Sequence, residues 1–139
     1  MDKTCILIVD DNPEIREIIN VLLGGEGFEV SEAENGAQAL TLIEQKDFDL
    51  IILDIMMPGP NGYQTCRKIR ELSNAPILFL SARTKECDKT LGFSSGGDDY
   101  LAKPFSYNEL ISRSKALIRR YQVYKGKNAS GNQSINSAS

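Results

Sequence analysis

Five polar residues stand where an apolar run gives way to a turn, and their types suit the handling of a phosphoryl group. Asp10 and Asp11 follow ILIV (6–9), Asp54 follows LIIL (50–53), Ser81 follows PILFL (76–80), and Lys103 precedes Pro104. Carboxylates held close together repel one another unless a cation joins them. Oxygen-only ligation, with no imidazole or thiolate, suits Mg2+, or Mn2+ in its place. A lysine ammonium and a serine hydroxyl are groups that hold phosphoryl oxygens and balance their charge. The set describes a carboxylate that accepts phosphate. With no histidine in the chain, the commonest general base, the commonest zinc ligand and any phosphohistidine are ruled out. Taken singly the residues read more plainly: Asp10 and Asp11 as helix caps, Asp54 as a loop opener, Ser81 as a strand-end hydroxyl and Lys103 as a solvated turn residue. The set of five is what points to a site.

Those residues need a scaffold that brings strand ends together. TCILIV (4–9) is a strand, and Asn12 or Asp11 caps the helix that Pro13 opens. Ile15, Ile18, Ile19, Leu22 and Leu23 recur at helical spacing until Gly24, Gly25 and Gly27 stop the run. Phe28 to Ala33 is a second strand, and Ala39, Leu40 and Ile43 mark a second helix. Leu50 to Leu53 is a third strand, followed by the breaker-rich loop IMMPGPNG and a helix through Tyr63, Cys66, Ile69 and Leu72. PILFL is the fourth strand, residues 85–93 a weak fourth helix, and Tyr100 to Ala102 the fifth strand. A last helix starts near Ser106 or Tyr107 and carries Leu110, Ile111, Leu117, Ile118 and Tyr121. Strands without a polar face must be covered on both sides. Five strands alternating with five helices therefore imply an α/β fold, a doubly wound parallel sheet. In such a sheet ligands bind at the edge formed by the strand C-termini.

Length and composition agree. The 139 residues suit one domain, with 41% apolar and 25% charged residues. From Lys125 the tail KGKNASGNQSINSAS has one bulky apolar residue, Ile135, and composition predicts a flexible linker over 125–139 behind a domain over 1–124. Without Lys125 and Lys127 the net charge of −3 becomes −5. This is the wrong sign for gripping nucleic acid, so the basic residues between Arg113 and Lys127 read as a solvated helix face. No apolar run approaches a membrane span and no cleavable leader precedes the first strand, so a cytoplasmic protein is expected. Cys5, Cys66 and Cys87 form no C-x-x-C pair and are expected to be reduced and structural.

In order and spacing, ILIVDD, LIILDIMMPGPNGY, PILFLSA and GGDDYLAKPF resemble the receiver domain of bacterial two-component response regulators, a flavodoxin-like (CheY-like) fold, over about residues 3–122. LAKPFSYNELISRSKALIRR resembles the last strand and helix of the OmpR/PhoB subfamily, whose winged-helix DNA-binding domain follows a short linker. The resemblance implies that Asp54 is the phosphoacceptor for a sensor histidine kinase. Asp11, Asp54 and the Met56 backbone carbonyl would be direct Mg2+ ligands, with Asp10 acting through water. Lys103, the Ser81 hydroxyl and the Ala82 amide would meet the acyl phosphate. The family switch implies that Ser81 moves and that the Tyr100 ring fills the vacated space. It also implies a cis peptide before Pro104. Dimers would form through the fourth helix, fifth strand and last helix, with Lys89, Asp98, Asp99, Arg113 and Arg119 as salt-bridge candidates.

Such a domain catalyses only its own phosphorylation and dephosphorylation, and its output is binding to a partner. A standalone receiver acting through protein contacts is the alternative. An aspartyl phosphatase needs a second acid two residues after the nucleophile, where this chain has Met56. Two departures from the family pattern carry their own expectations. Gly97 replaces the usual alanine, and with Thr90, Ser94, Ser95 and Gly96 it makes the fourth helix a poor helix former, expected to be mobile. Met56 and Arg83 lack an acid or amide that orients a water, so self-dephosphorylation is expected to be slow.

Overall fold

A computed structural model describes residues 3–82 and 96–138. It contains strands β1 (Cys5–Val9), β2 (Glu29–Ala33), β3 (Leu50–Asp54), β4 (Ile77–Ala82) and β5 (Asp99–Lys103). They form one sheet in the order β2-β1-β3-β4-β5, with every neighbouring pair parallel. Four helices are described: α1 (Pro13–Gly25), α2 (Gly36–Gln45), α3 (Gly62–Arg70) and α4 (Tyr107–Ala138). The expected helix over 85–93, with its expected mobility, lies outside the described residues.

The period-two alternation of the strands sorts their apolar side chains into two cores, one on each face of the sheet. Leu7, Val9, Ile51, Leu53, Ile77 and Phe79 pack with residues of α2 and α3, among them Ala39, Ile43, Cys66 and Ile69. Ile6, Ile8, Leu50, Ile52, Leu78 and Leu80 pack with Ile19 and Leu23 of α1 and Leu110, Leu117 and Ile118 of α4. The central strand side chains are fully buried, each contributing about 1.5–3 kcal/mol of transfer free energy. This two-sided burial is what the continuous apolar runs of β1 and β3 require.

Each of the first three helices begins at an asparagine cap. Asn12 Oδ1 accepts from the Glu14 amide at 2.9 Å, Asn35 Oδ1 from the Gln38 amide at 2.9 Å, and Asn61 Oδ1 from the Gln64 amide at 3.0 Å. Gln64 returns its side chain to the Asn61 amide, closing a capping box at the start of α3. At the other end of α3, Arg70 ties three segments together. Its guanidinium donates to the carbonyls of Gly96, Ser73 and Ala75 and pairs with Asp98 at 2.8 Å.

Helix α4 carries helical backbone through Ala138, where composition predicts a flexible tail. Its apolar pattern fades earlier, since Val123 and Tyr124 are more than half exposed. Among the described residues no helix is long and apolar enough to cross a membrane.

Register then fixes the site. Asp54 pairs with Leu80, Ser81 with Ala102 and Ala82 with Lys103, so the polar strand ends share one edge. Gly62 lets α3 start against that edge, because a Cβ there would stand 2.5 Å from the Asp54 carbonyl oxygen and 2.7 Å from the Ile55 Cα. Gly62→Ala is expected to lower unfolding free energy by about 1–3 kcal/mol in urea denaturation, since the clash is with backbone. A loss under about 0.5 kcal/mol, the range of an ordinary surface substitution, would show that the loop yields freely.

Candidate functional site

At the C-terminal edge of the sheet, Asp10, Asp11 and Asp54 each offer a carboxylate oxygen, and these atoms lie within 4.8 Å of one another. Asp10 follows the last residue of β1 and is completely buried. Its amide donates to the Ala33 carbonyl at 3.1 Å, and its own carbonyl accepts from Arg16 Nη1 at 2.6 Å. Its carboxylate accepts from the Asn12 amide at 2.9 Å and from Lys103 Nζ at 3.0 Å, one bond on each oxygen. Asp11 is exposed. Asp54 closes β3, is 3% exposed, and accepts from the Met56 amide at 3.2 Å. Lys103 Nζ lies 3.5 Å from Asp54 Oδ1, so one ammonium serves two buried carboxylates.

The balance is unfavourable to negative charge. Burial pushes the Asp54 carboxyl up to about 6, and the Asp10 charge adds to it; Lys103 and then the Met56 amide oppose the rise, and Asp11 adds a smaller push upward. With all groups ionised, the carboxylates and one ammonium leave two negative charges, which a divalent cation cancels. The donor set fits a hard, oxygen-seeking ion such as Mg2+. Both Asp10 oxygens already accept hydrogen bonds, and Asp11 is the exposed carboxylate of the three.

Ser81 is buried beside this edge as the penultimate residue of β4, and the backbone of Ala82 ends that strand. The Met56 side chain is 56% exposed, whereas Arg83 lies outside the described residues. The Lys103–Pro104 peptide is cis. Tyr100 turns into the core formed with α2 and α3, where its hydroxyl donates to the Tyr63 oxygen at 3.1 Å. The dimer-face candidates separate. Asp98 is held by Arg70 and also accepts from the Ile77 amide at 2.8 Å. Arg113 Nη1 donates to both Asp99 oxygens at 2.9 Å. Arg119 is exposed, and Lys89 lies outside the described residues. Burial pushes the Cys66 thiol up to about 11, which keeps it unreactive.

Two site residues escape a sequence reading. Arg16 reaches from α1 to the Asp10 carbonyl and is itself paired with Glu32 at 3.1 Å. Its only sequence signal is a charge beside the apolar stripe of α1. Tyr63 is one of four residues (Tyr63, Cys66, Ile69, Leu72) that the spacing assigns to a helix face, and its pairing with Tyr100 depends on how α3 meets β5.

The raised Asp54 pKa has a definite stability consequence. A carboxyl that binds its proton more tightly folded than unfolded adds stability below the unfolded value of 3.8, and that stability is lost as pH rises through about 6. In metal-free buffer Asp54→Asn is therefore expected to stabilise the protein by about 1–2 kcal/mol at pH 7.5, an amount set by the lost charge burial less the lost lysine pairing. The gain should vanish below about pH 3, where the wild-type carboxyl is protonated in both states. Thermal unfolding at the two pH values measures it. An equal effect at both would remove the electrostatic explanation.

The response regulator receiver domain family matches residues 6–115. Among curated relatives, the Bacillus subtilis transcriptional regulatory protein YrkP is 49% identical over 122 residues, covering 88% of this chain and 52% of that protein. The transcriptional regulatory protein ResD of the same species is 44% identical, over 86% of this chain and 50% of its own length. The DNA-binding response regulator MtrA of Mycolicibacterium smegmatis is 45% identical, over 83% and 50%. This chain thus spans about half the length of these relatives. Among solved structures, Vibrio cholerae chemotaxis protein CheY4 superposes with a TM-score of 0.79 at 30% identity, covering 84% of this chain and 99% of that one. Thermotoga maritima response regulator TrrA, determined in complex with Mg2+ and BeF, gives 0.74 at 37% identity, covering 82% and 98%. Sheet order, edge carboxylates and family match agree, and the chain belongs to the response regulator receiver domain family.

Proposed function

We propose that this chain receives a phosphoryl group on Asp54 from a sensor histidine kinase and passes the signal on by changing the surface around β5 and α4. The observation that carries the reading is the juxtaposition of Asp54, Asp10, Asp11 and Lys103 at one sheet edge. In the reaction an Asp54 oxygen attacks phosphorus, the bond from phosphorus to the donor breaks, and the donor leaves with that electron pair. Asp11, Asp54 and the Met56 carbonyl would hold Mg2+, with Asp10 acting through water, and the bound ion would neutralise charge on the phosphoryl oxygens. Lys103 balances the transferred charge, and Ser81 and the Ala82 amide hydrogen-bond the phosphoryl oxygens. The movement of Ser81 then favours the inward Tyr100 ring.

The output is control of transcription through a DNA-binding domain outside this chain, in keeping with the regulators it resembles, which are twice as long. Segment 125–138 serves as the connection to that domain. Phosphorylated chains pair across a two-fold axis through the 85–93 segment, β5 and α4. Asp98, Asp99, Arg113, Arg119 and Lys89 are the salt-bridge candidates of that face, with Asp99 paired to Arg113 and Asp98 to Arg70 within one chain. Signalling through protein contacts alone is the second reading, favoured by the likeness to CheY4.

Intact mass after incubation with acetyl phosphate and Mg2+ tests the reading. One adduct of about 80 Da is expected, absent from Asp54→Ala and from samples containing EDTA. With no side chain at Met56 able to orient a water, the adduct should persist for minutes or longer. An adduct that survives Asp54→Ala would place the acceptor elsewhere. An adduct lost within seconds would contradict the assigned role of Met56.

A further inference from the structure

A buried aromatic path joins the acceptor loop to Tyr100. Gly62 packs on the Asp54 carbonyl and donates its amide to the Ile55 carbonyl at 2.9 Å, so the start of α3 is seated directly on the acceptor strand. The Asn61–Gln64 capping box fixes that first turn. Tyr63, the next residue, is 5% exposed and stands edge-on to Phe79, with ring centroids 5.3 Å apart. Phe79 is fully buried and lies 5.2 Å from the Tyr100 ring. The Tyr100 hydroxyl closes the path by donating to the Tyr63 oxygen at 3.1 Å.

Gly97 makes room for this arrangement. A Cβ at that position would collide with Phe79 Cε2 and fall 2.7 Å from its Cδ2. The side chain is missing there to clear an aromatic ring; the glycine is not serving a positive-φ turn, since Gly97 is not among the positive-φ residues. The substitution that stands out in the sequence as a departure from the family pattern therefore seats the aromatic path.

We propose that Tyr63 is a positioning residue for Tyr100: its hydroxyl and ring, braced by Phe79, hold the Tyr100 ring in its buried place before any phosphoryl group reaches Asp54. The meaning of this for signalling rests on the reading of Tyr100 as the switch residue, and the structural test does not. The unmodified chain is thereby biased toward the inward ring, and any change in the seat of α3 on Asp54 is transmitted to β5 through one hydrogen bond and two ring contacts.

The test labels the tyrosines of the full chain with 3-fluorotyrosine and reads 19F signals in the presence of a soluble gadolinium chelate, with Tyr100→Phe assigning the Tyr100 signal. In the wild type, Tyr100 should resist broadening. Tyr63→Phe removes the hydroxyl that accepts from Tyr100 and keeps the ring, and the exposed population should rise about fivefold, equivalent to about 1 kcal/mol. Gly97→Ala, which displaces Phe79, should expose Tyr100 in the same way. Circular dichroism identical to wild type confirms that the fold persists, and a loss of packing alone would broaden other tyrosines as well. Tyr100 equally shielded in both variants, or exposed in the wild type, would overturn the proposal. If Tyr100 loosens in the variants but acetyl phosphate with Mg2+ gives no adduct on wild-type Asp54, the positioning role is supported and the phosphoacceptor reading fails.

Discussion

The structure turns on the presence of more negative charge at a buried edge than one lysine can balance. Asp10 and Asp54 are carboxylates with almost no exposure, and Lys103 lies within 3.5 Å of both. Burial of unbalanced charge is expensive, and it persists in a fold only where the surroundings fix it. Here the fixing groups are numerous. Asn12 and Met56 amides, the Arg16 guanidinium on the Asp10 carbonyl, and the parallel register of β3, β4 and β5 all hold atoms of the cluster in place. The cost is relieved by whatever adds positive charge: a proton, a divalent cation, or a cation that arrives with a phosphoryl group.

That constraint explains the division of labour between strands and loops. The strand interiors are apolar on both faces and supply the stability that offsets the strained edge. The loops after β1 and β3 hold the polar groups, and their asparagine caps and Gly62 set where each helix begins. Packing and chemistry therefore share residues. Gly62 is at once the start of α3 and the floor under the acceptor, and Phe79 is at once core filling and the brace between two tyrosines.

Much of this was legible from residues alone. Sheet class followed from ILIV and LIIL, runs with no polar side that must be covered twice, and the convergence of Asp10, Asp54, Ser81 and Lys103 followed from strand ends sharing an edge. Ambiguity between Asn12 and Asp11 as the cap could be settled only by backbone geometry, which gives the cap to Asn12 and leaves Asp11 exposed. Partners set by tertiary contact had no local signal. Arg16 reaches a carbonyl six residues away, Tyr63 and Tyr100 are 37 residues apart, and Arg70 takes Asp98 across 28 residues. Asp98 and Asp99 are adjacent and alike in sequence, yet one is tied to α3 and the other to α4. The helical backbone over 125–138 has no local signal, since the Gly, Asn and Ser residues there are poor helix formers.

The most direct measurement is the titration of the Asp54 side-chain carboxyl carbon by NMR, in metal-free protein and with Mg2+ added. A charge-frustrated acceptor should titrate near 6 without metal and at a clearly lower pH with it, because a cation at the cluster competes with the proton. A midpoint close to the ordinary aspartate value, unmoved by Mg2+, would contradict the account, since it would mean that the edge cluster neither frustrates Asp54 nor gathers a cation.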